Sequence, residues 1–284
     1  MTTCPARTTL AARSASGGAS GGASGGASGG RPLVGLLFAL GMEARCFEER
    51  LPAREFVRSQ GLQVTRGALS GVRVVVLRCG VGQHAAARGA AALIARYRPD
   101  RIILAGLAGG LRTGLERGDL ILVDRILAPG GDCLAPAPFP QGWEAALAAS
   151  GSRVHRGALL SVDRPICRAT EKRALGRTHG AVAVDMESAA VARVCVGCGT
   201  PLLSLRVISD SVEDDLPLAI ERWFAQGSAA RRMGLALGGL IQRPSGLRDL
   251  LRLARRARAA ARQLAPALVI TVERIGGSHA ESPG

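Results

Sequence analysis

Aromatic residues are scarce in this chain, because Phe, Tyr and Trp make up only 3% of its 284 residues. The core must therefore be built from Leu, Val, Ile and Ala, within an apolar content of 47%. No apolar run approaches the roughly 20 residues that a membrane-spanning helix needs. Residues 1–31 contain no apolar stretch of the kind found in secretory signals. The length suits one large α/β domain or two small ones in a globular protein.

Lysine is almost absent, since Lys172 is the only one, and the formal net charge of +15 comes almost wholly from arginine. A charge of this size could indicate a nucleic-acid partner. The arginines are scattered, however, and no aromatic residues lie among them to stack on bases. We therefore expect no binding of nucleic acid.

The seven cysteines are odd in number and irregularly spaced. Most lie in apolar surroundings, as buried thiols do in a reducing compartment. Cys195 and Cys198 have the spacing of half a redox or zinc site, but no second pair accompanies them. We therefore expect a cytoplasmic protein with no metal and no cofactor.

The chain divides by composition into three segments. Residues 15–30 are four copies of Ala-Ser-Gly-Gly, which cannot bury enough surface to become ordered. We predict a disordered, low-complexity N-terminus at residues 1–30 and a main domain at residues 31–243. A basic C-terminal helix and its tail are predicted at residues 244–284.

Apolar strands alternate with helices through the main domain. Ser70 and Gly71 separate the strands predicted at 62–69 and 72–79, which indicates a hairpin. Runs typical of strands covered on both faces occur at 33–40, 101–105 and 201–208. Helices are predicted at 82–97, about 170–177, 186–197, 217–241 and 246–264, and a long loop at 128–143. This alternation predicts an α/β fold with a mainly parallel or mixed sheet between helical layers.

Three carboxylates follow predicted strands, namely Glu43, Glu187 and Asp210. Sites in such sheets lie beyond the carboxyl ends of strands, and buried carboxylates are costly unless paired or used. Asp210 would be a partly desolvated general acid, and Glu43 could activate a water. Glu187 could accept hydrogen bonds from sugar hydroxyls, while a glycine-rich turn at 106–110 would let the backbone approach a flat ligand. Each acid alone could instead be an ordinary helix-start residue.

Five motifs occur in order at residues 39–43, 79–82, 105–110, 185–190 and 206–210. As a set they resemble the purine nucleoside phosphorylase/uridine phosphorylase superfamily, and more closely its nucleosidase branch. The resemblance implies a three-layer α/β/α sandwich around a twisted mixed central sheet, usually in a homodimer or larger oligomer. It also implies an enzyme that acts on a small-molecule nucleoside.

The resemblance assigns roles to individual residues. Glu43 matches the acid that activates water, and Asp210 matches the acid that protonates purine N7. Met186 and Glu187 match the pair that holds the ribose hydroxyls. The remaining residues expected to bind the substrate are Gly106, Ile166 and Ser209.

Within the superfamily the chain looks most like the hopanoid-associated phosphorylase group, on residues 184–188, the acidic stretch 213–217 and the tail 243–255. That likeness implies hydrolytic release of adenine from adenosylhopane, which leaves ribosylhopane. Leu107 stands where nucleosidases commonly carry Ser or Thr, and Pro165 where they carry an aromatic residue. Both departures suggest an apolar group at the ribose 5′ end. The alternatives are cleavage of methylthioadenosine or S-adenosylhomocysteine, and a non-catalytic nucleoside- or membrane-binding relative.

Hydrolysis is favoured over phosphorolysis. Leu104 stands where hexameric purine phosphorylases place an arginine, and the carboxylate of Glu43 would repel phosphate. Arg78 and Arg206 remain as possible phosphate donors.

The basic C-terminal helix allows two interpretations. It could be a solvated helix that packs its leucines on the domain. It could also rest on anionic lipid, which would make the protein peripheral at the inner face of the membrane.

Overall fold

The computed structural model describes residues 31–59, 62–128, 130–217, 220 and 244–280. The strands are β1 (Leu33–Phe38), β2 (Arg54–Ser59), β3 (Leu62–Leu69), β4 (Val72–Arg78), β5 (Arg101–Gly110), β6 (Leu120–Leu127), β7 (Cys133–Leu134), β8 (Val154–Ser161), β9 (Ala183–Asp185) and β10 (Leu202–Asp210). The helices are α1 (Gly41–Glu48), α2 (Gln83–Tyr97), α3 (Trp143–Ala148), α4 (Ala169–His179), α5 (Ser188–Cys198) and α6 (Pro244–Ala280). The disorder predicted at residues 1–30 lies outside the described residues, as does nearly all of the helix predicted at 217–241.

All ten strands belong to one mixed sheet, in the order β10-β6-β8-β9-β5-β1-β4-β3-β2, with β7 beside β6. The neighbours β4, β1, β5 and β10 are parallel to one another. The hairpin predicted around Ser70 and Gly71 is confirmed as the antiparallel pair β3–β4. Because β5 also pairs with β10, the strands β5, β10, β6, β8 and β9 close into a ring at one end of the sheet.

Helices cover both faces of the sheet. On one face α1, α3 and α6 pack on a core that includes Val34, Leu36 and Phe38 of β1. On the other face α2 and α5 pack on a core that includes Leu37. The alternation of β1 side chains between the two cores follows from the period of two along a strand. The predicted α/β class, with a mixed sheet between helical layers, is confirmed.

The C-terminal helix α6 is longer than the sequence predicts and is built into the core. Leu264, Leu268 and Val272 are buried with the residues of β1 and β5. The helix was predicted to end near residue 264, but it continues through Pro266 to Ala280. The described part of this helix therefore packs into the core of the domain, and the domain boundary at 243/244 stays a prediction.

Strand β5 corrects one local expectation. Residues 106–110 were expected to form a turn, but the strand continues through Gly110. Both edges of this glycine segment are paired, with β10 on one side and β9 on the other. The backbone hydrogen bonds of two neighbours hold the glycines extended, and tertiary pairing overrides their turn preference. The sequence analysis predicted neither β2 nor α3, and it indicated α1 only as the alternative helix-start role of Glu43.

Candidate active site

Glu43 lies in the first turn of α1, immediately after β1. Its Oε2 accepts a hydrogen bond from the backbone N–H of Leu40 (2.8 Å), and its Oε1 accepts one from the N–H of Leu107 (3.0 Å). Leu40 precedes the helix and has no polar side chain, so Glu43 satisfies that N–H. Burial raises the pKa of Glu43, against the opposing effect of these N–H groups and of Arg206. A carboxylate with a raised pKa is suited to accept a proton near neutral pH.

Glu187 lies between β9 and α5, and its side chain is buried. Its Oε1 accepts the N–H of Gly82 (2.8 Å), and its Oε2 accepts the N–H of Met186 (3.3 Å). Gly82 has a φ of +94°, so the turn after β4 can present its N–H to this carboxylate only with glycine there. Burial, and then the negative charge of Asp185, raise the pKa of Glu187 to about 7.

Arg206 is the buried cation between these acids. Its Nη2 donates to Oδ2 of Asp185 (2.6 Å) and to Oγ of Ser188 (2.8 Å). Its positive charge lowers the pKa of both Glu43 and Glu187, against the larger effect of burial. The guanidinium is thus held by a structural ion pair while it stabilises the neighbouring carboxylates.

Gly106 is where Glu43 and Arg206 meet. A Cβ at this position would lie 2.7 Å from Nη1 of Arg206 and 3.2 Å from Oε1 of Glu43. The close approach of two charged side chains to β5 therefore requires glycine here. The sequence singles out Gly106 as a backbone surface for the ligand, and that role stays a prediction.

Asp210 ends β10 and is buried. Its Oδ1 accepts the hydroxyl of Ser209 (2.5 Å), and its Oδ2 accepts the ammonium of Lys172. Sequence reasoning missed Lys172, although its being the only lysine was a signal. Asp210 was expected to be partly desolvated, and it is buried, but it carries its own cationic partner.

The acids contact the same strand at two places. Glu43 and Arg206 lie at Gly106, while Asp210 lies at Gly109, where a Cβ would be 3.2 Å from its Oδ2. Three residues of extended chain span about 10 Å. Glu43 and Glu187 are close enough for the charge of one to raise the pKa of the other. Asp210, which is paired with Lys172, therefore lies at one end of this segment, and Glu43 and Glu187, whose burial raises their pKa values, lie at the other. The distance between the two ends is similar to the length of a nucleoside.

The other predicted site residues lie around this strand. Met186 is half-buried beside Glu187, and Ser209 bonds Asp210 and also the carbonyl of Ala108 (3.3 Å). Ile166 is buried in a small apolar cluster with Val184, whose side chain lies against Gly109. Six of the seven predicted residues lie at the ends of β1, β9 and β10 or on β5, and Ile166 follows β8. Their roles stay predictions.

One surface cavity lies away from the acids. A cavity of about 370 Å³ beside the β2–β3 hairpin contains none of the three acids. Within the described residues no group of three or more His, Cys, Asp or Glu could hold a metal, and no helix is long and apolar enough to cross a membrane.

Comparison with known families identifies an enzyme that cleaves N-glycosidic bonds. The profile of the phosphorylase superfamily matches residues 33–238, most of the chain. The chain therefore belongs to the phosphorylase superfamily, as its motifs predict.

Solved structures share the fold. A 5′-methylthioadenosine/S-adenosylhomocysteine nucleosidase from Neisseria meningitidis is 21% identical, with a TM-score of 0.65 over 85% of this chain and 99% of that one. Futalosine hydrolase from Helicobacter pylori is 17% identical, with a TM-score of 0.66 over 86% and 98%. A nucleosidase from Colwellia psychrerythraea is 23% identical, with a TM-score of 0.59 over 68% and 88%. These structures lie in the nucleosidase branch that the sequence resembles; closeness to the hopanoid-associated group stays a prediction.

Proposed function

We propose that the chain hydrolyses the N-ribosidic bond of an adenosine-bearing substrate, and that this substrate is adenosylhopane. One observation supports the hydrolytic step. Glu43, Arg206 and Glu187 lie close together at one end of the glycine segment of β5, and Asp210 lies at the other end. Hydrolysis of this bond requires a general acid beside the purine and a general base beside the ribose.

The step balances as follows. Asp210 gives a proton to N7 of adenine, and the bond between N9 and C1′ breaks as the electron pair passes to the base. Glu43 takes a proton from water, whose oxygen bonds to C1′. Glu187 and Met186 bind the ribose hydroxyls, and a carboxylate there stabilises the positive charge that develops on the sugar.

Water is favoured over phosphate as the nucleophile by the state of the two arginines that could bind the dianion. Arg206 is held by Asp185 and Ser188, and Arg78 forms an ion pair with the buried Glu48. Both guanidiniums are therefore already engaged in ion pairs, although Nε of Arg206 has no hydrogen-bond partner among the described residues, and the carboxylate of Glu43 would repel a phosphate dianion.

The test uses the purified full-length protein with adenosylhopane in detergent micelles, methylthioadenosine and adenosine, each with and without phosphate in H₂¹⁸O. We expect adenine and a ribosyl product with ¹⁸O at C1′, formed at the same rate without phosphate. Asp210→Asn should slow base release by about 10²-fold or more. A ribose 1-phosphate product would establish phosphorolysis instead. No base release from any substrate would leave only a non-catalytic binding role.

A second candidate is cleavage of methylthioadenosine or S-adenosylhomocysteine. Nucleosidases for these substrates from Neisseria meningitidis and Colwellia psychrerythraea share the fold. Faster release of adenine from methylthioadenosine than from adenosylhopane would favour this candidate.

A lipid substrate would be reached from a membrane surface, and the outer face of α6 supports contact with anionic lipid. Four arginines on that face are exposed, Arg255, Arg256, Arg258 and Arg262. The helix itself has no Asp or Glu between Asp249 and Glu273, although Glu49, which follows α1, lies near Cys46, as Arg258 and Arg262 do. Each basic side chain near an anionic surface contributes about 1 kcal/mol to binding.

Vesicle binding separates this surface from general positive charge. Replacing the four arginines with Gln should abolish sedimentation with phosphatidylserine vesicles. The matched control replaces Arg88, Arg96, Arg173 and Arg177, which are exposed on α2 and α4, and should leave sedimentation unchanged. Equal losses would indicate attraction by net charge alone. Truncation is no test, because α6 is part of the core. The predicted homo-oligomer and cytoplasmic location stay proposals.

A further inference from the structure

Lys172 is the only lysine of the chain, and its side chain is fully buried on α4. Burying an ammonium is costly unless it is paired and hydrogen-bonded. Arginine serves every other cationic position in the sequence, so a lysine here calls for a local reason.

All three donors of Lys172 are used at the end of β10. The Nζ atom donates to Oδ2 of Asp210, to the carbonyl of Ser211 (3.0 Å) and to the carbonyl of Asp214 (2.9 Å). A compact ammonium makes three such bonds in different directions, whereas the planar guanidinium of arginine could not point its donors in this way. Lys172 therefore holds both the carboxyl group and the backbone that follows it.

The two oxygens of Asp210 have different partners. Oδ2 is fixed by the ammonium, and Oδ1 accepts only the neutral hydroxyl of Ser209. When the carboxyl group loses its proton, the negative charge that remains lies directly beside a positive one. The geometry thus favours proton donation from an acid whose orientation is already set.

We propose that Lys172 is a positioning residue for the base-protonation step: it orients Asp210 and stabilises the carboxylate left after its proton passes to the base. Lys172 keeps its three protons throughout, and the proton on the base comes from Asp210. This inference rests on the proposed function, because it assigns Asp210 as the acid.

The charged groups around the pair are accounted for. They are Asp214 and Asp215 of the loop, with Arg117 and Arg168 as their ion-pair partners, and at the sugar end Glu187. The N–H of Ala169 lowers the pKa of Asp215, and bonds from Ser211 and Arg117 lower that of Asp214 despite its burial. Neither loop carboxyl therefore titrates near neutral pH, and Glu187, with a pKa of about 7, contributes its own limb to a pH profile.

The experiment measures kcat, KM and the pH profile of kcat for Lys172→Met and Lys172→Gln. Gln keeps a hydrogen-bond donor and has no charge, which provides a second variant if Met prevents folding. We expect kcat to fall by about tenfold to a hundredfold with little change in KM. The pH profile of kcat should differ from that of the wild type, while the limb of Glu187 stays.

A matched substrate isolates the proton. 7-Methyladenosine already carries the positive charge that N7 protonation would supply, so its base leaves without a general acid. The ratio of kcat between adenosine and 7-methyladenosine should fall about tenfold or more in the Lys172 variants. A structural defect would slow both substrates equally.

The control is Asp215→Ala, which removes another tie between the same loop and α4, the bond from the N–H of Ala169 to Oδ1 of Asp215 (2.7 Å). It should lower thermal stability while leaving the substrate ratio and the pH profile unchanged. Lys172 variants that behave like this control would overturn the inference. If the wild type releases no adenine from any substrate, the proposed function itself is wrong. If the wild type is active and the Lys172 variants have the same kcat, pH profile and substrate ratio as the wild type, only the inference about Lys172 is wrong.

Discussion

Replacing Glu187 with Gln should make the folded protein more stable at pH 8, because the wild type holds a buried carboxylate there at a cost. Burial and Asp185 raise the pKa of Glu187 from 4.5 to about 7. The folded state therefore binds this proton more tightly than the unfolded state. The favourable contribution is complete below pH 4.5 and is lost as the pH rises to about 7.

The magnitude follows from the same pKa values. A difference of 7 − 4.5, about 2.5 pH units, corresponds to about 3 kcal/mol at roughly 1.4 kcal/mol per unit. Gln has nearly the same shape, and its amide oxygen can still accept the N–H of Gly82. The variant should thus gain up to about 3 kcal/mol over the wild type at pH 8 and little at pH 4.5.

Urea unfolding followed by circular dichroism at pH 4.5, 6, 7 and 8 measures this gain directly. Glu48→Gln is the matched control, because Glu48 is equally buried but is compensated by Arg78 and by the hydroxyl of Thr65 (2.7 Å). That control should lose about 2 kcal/mol or more, since Arg78 would lose its partner. A Glu187→Gln variant that is less stable than the wild type at pH 8 would refute the reasoning.

Two further substitutions test packing. Gly106→Ala should lower the free energy of unfolding by about 1–3 kcal/mol and abolish activity, because its Cβ would lie 2.7 Å from Nη1 of Arg206. Gly197→Ala is the control. It should be neutral or stabilising, because its Cβ would have no atom within 4 Å. Comparable losses in the two alanine variants would show that the close approach at Gly106 is unimportant. Leu268→Ala should cost about 3 kcal/mol, because this side chain of α6 is fully buried, whereas a loss under about 0.5 kcal/mol would mean that the helix is not part of the core.

Sequence patterns predicted the elements whose signals are local. The hairpin at Ser70 and Gly71 and the helix α2 are confirmed almost to the residue. Residues 106–110 were misjudged, because their extended form depends on two neighbouring strands that are distant in sequence. The C-terminal helix was predicted to end near residue 264, but it continues through Pro266, and packing on β1 and β5 stabilises that continuation.

The sequence also selected Glu43, Glu187 and Asp210, because unpaired acids after apolar strands are costly and because the motifs resemble a known superfamily. It could not assign their partners. Lys172 is separated from Asp210 by 38 residues, and Gly82 from Glu187 by 105. Only the fold brings such groups within hydrogen-bonding distance.

The sequence by itself determined the fold class, because alternating apolar strands and helices form a layered α/β fold. Tertiary structure decided the electrostatic state of each acid. Glu187 is buried beside Asp185, which raises its pKa, whereas Asp210 accepts a hydrogen bond from the ammonium of Lys172. That difference depends on burial and on the nearest opposite charge, and neither quantity exists until the strands have paired.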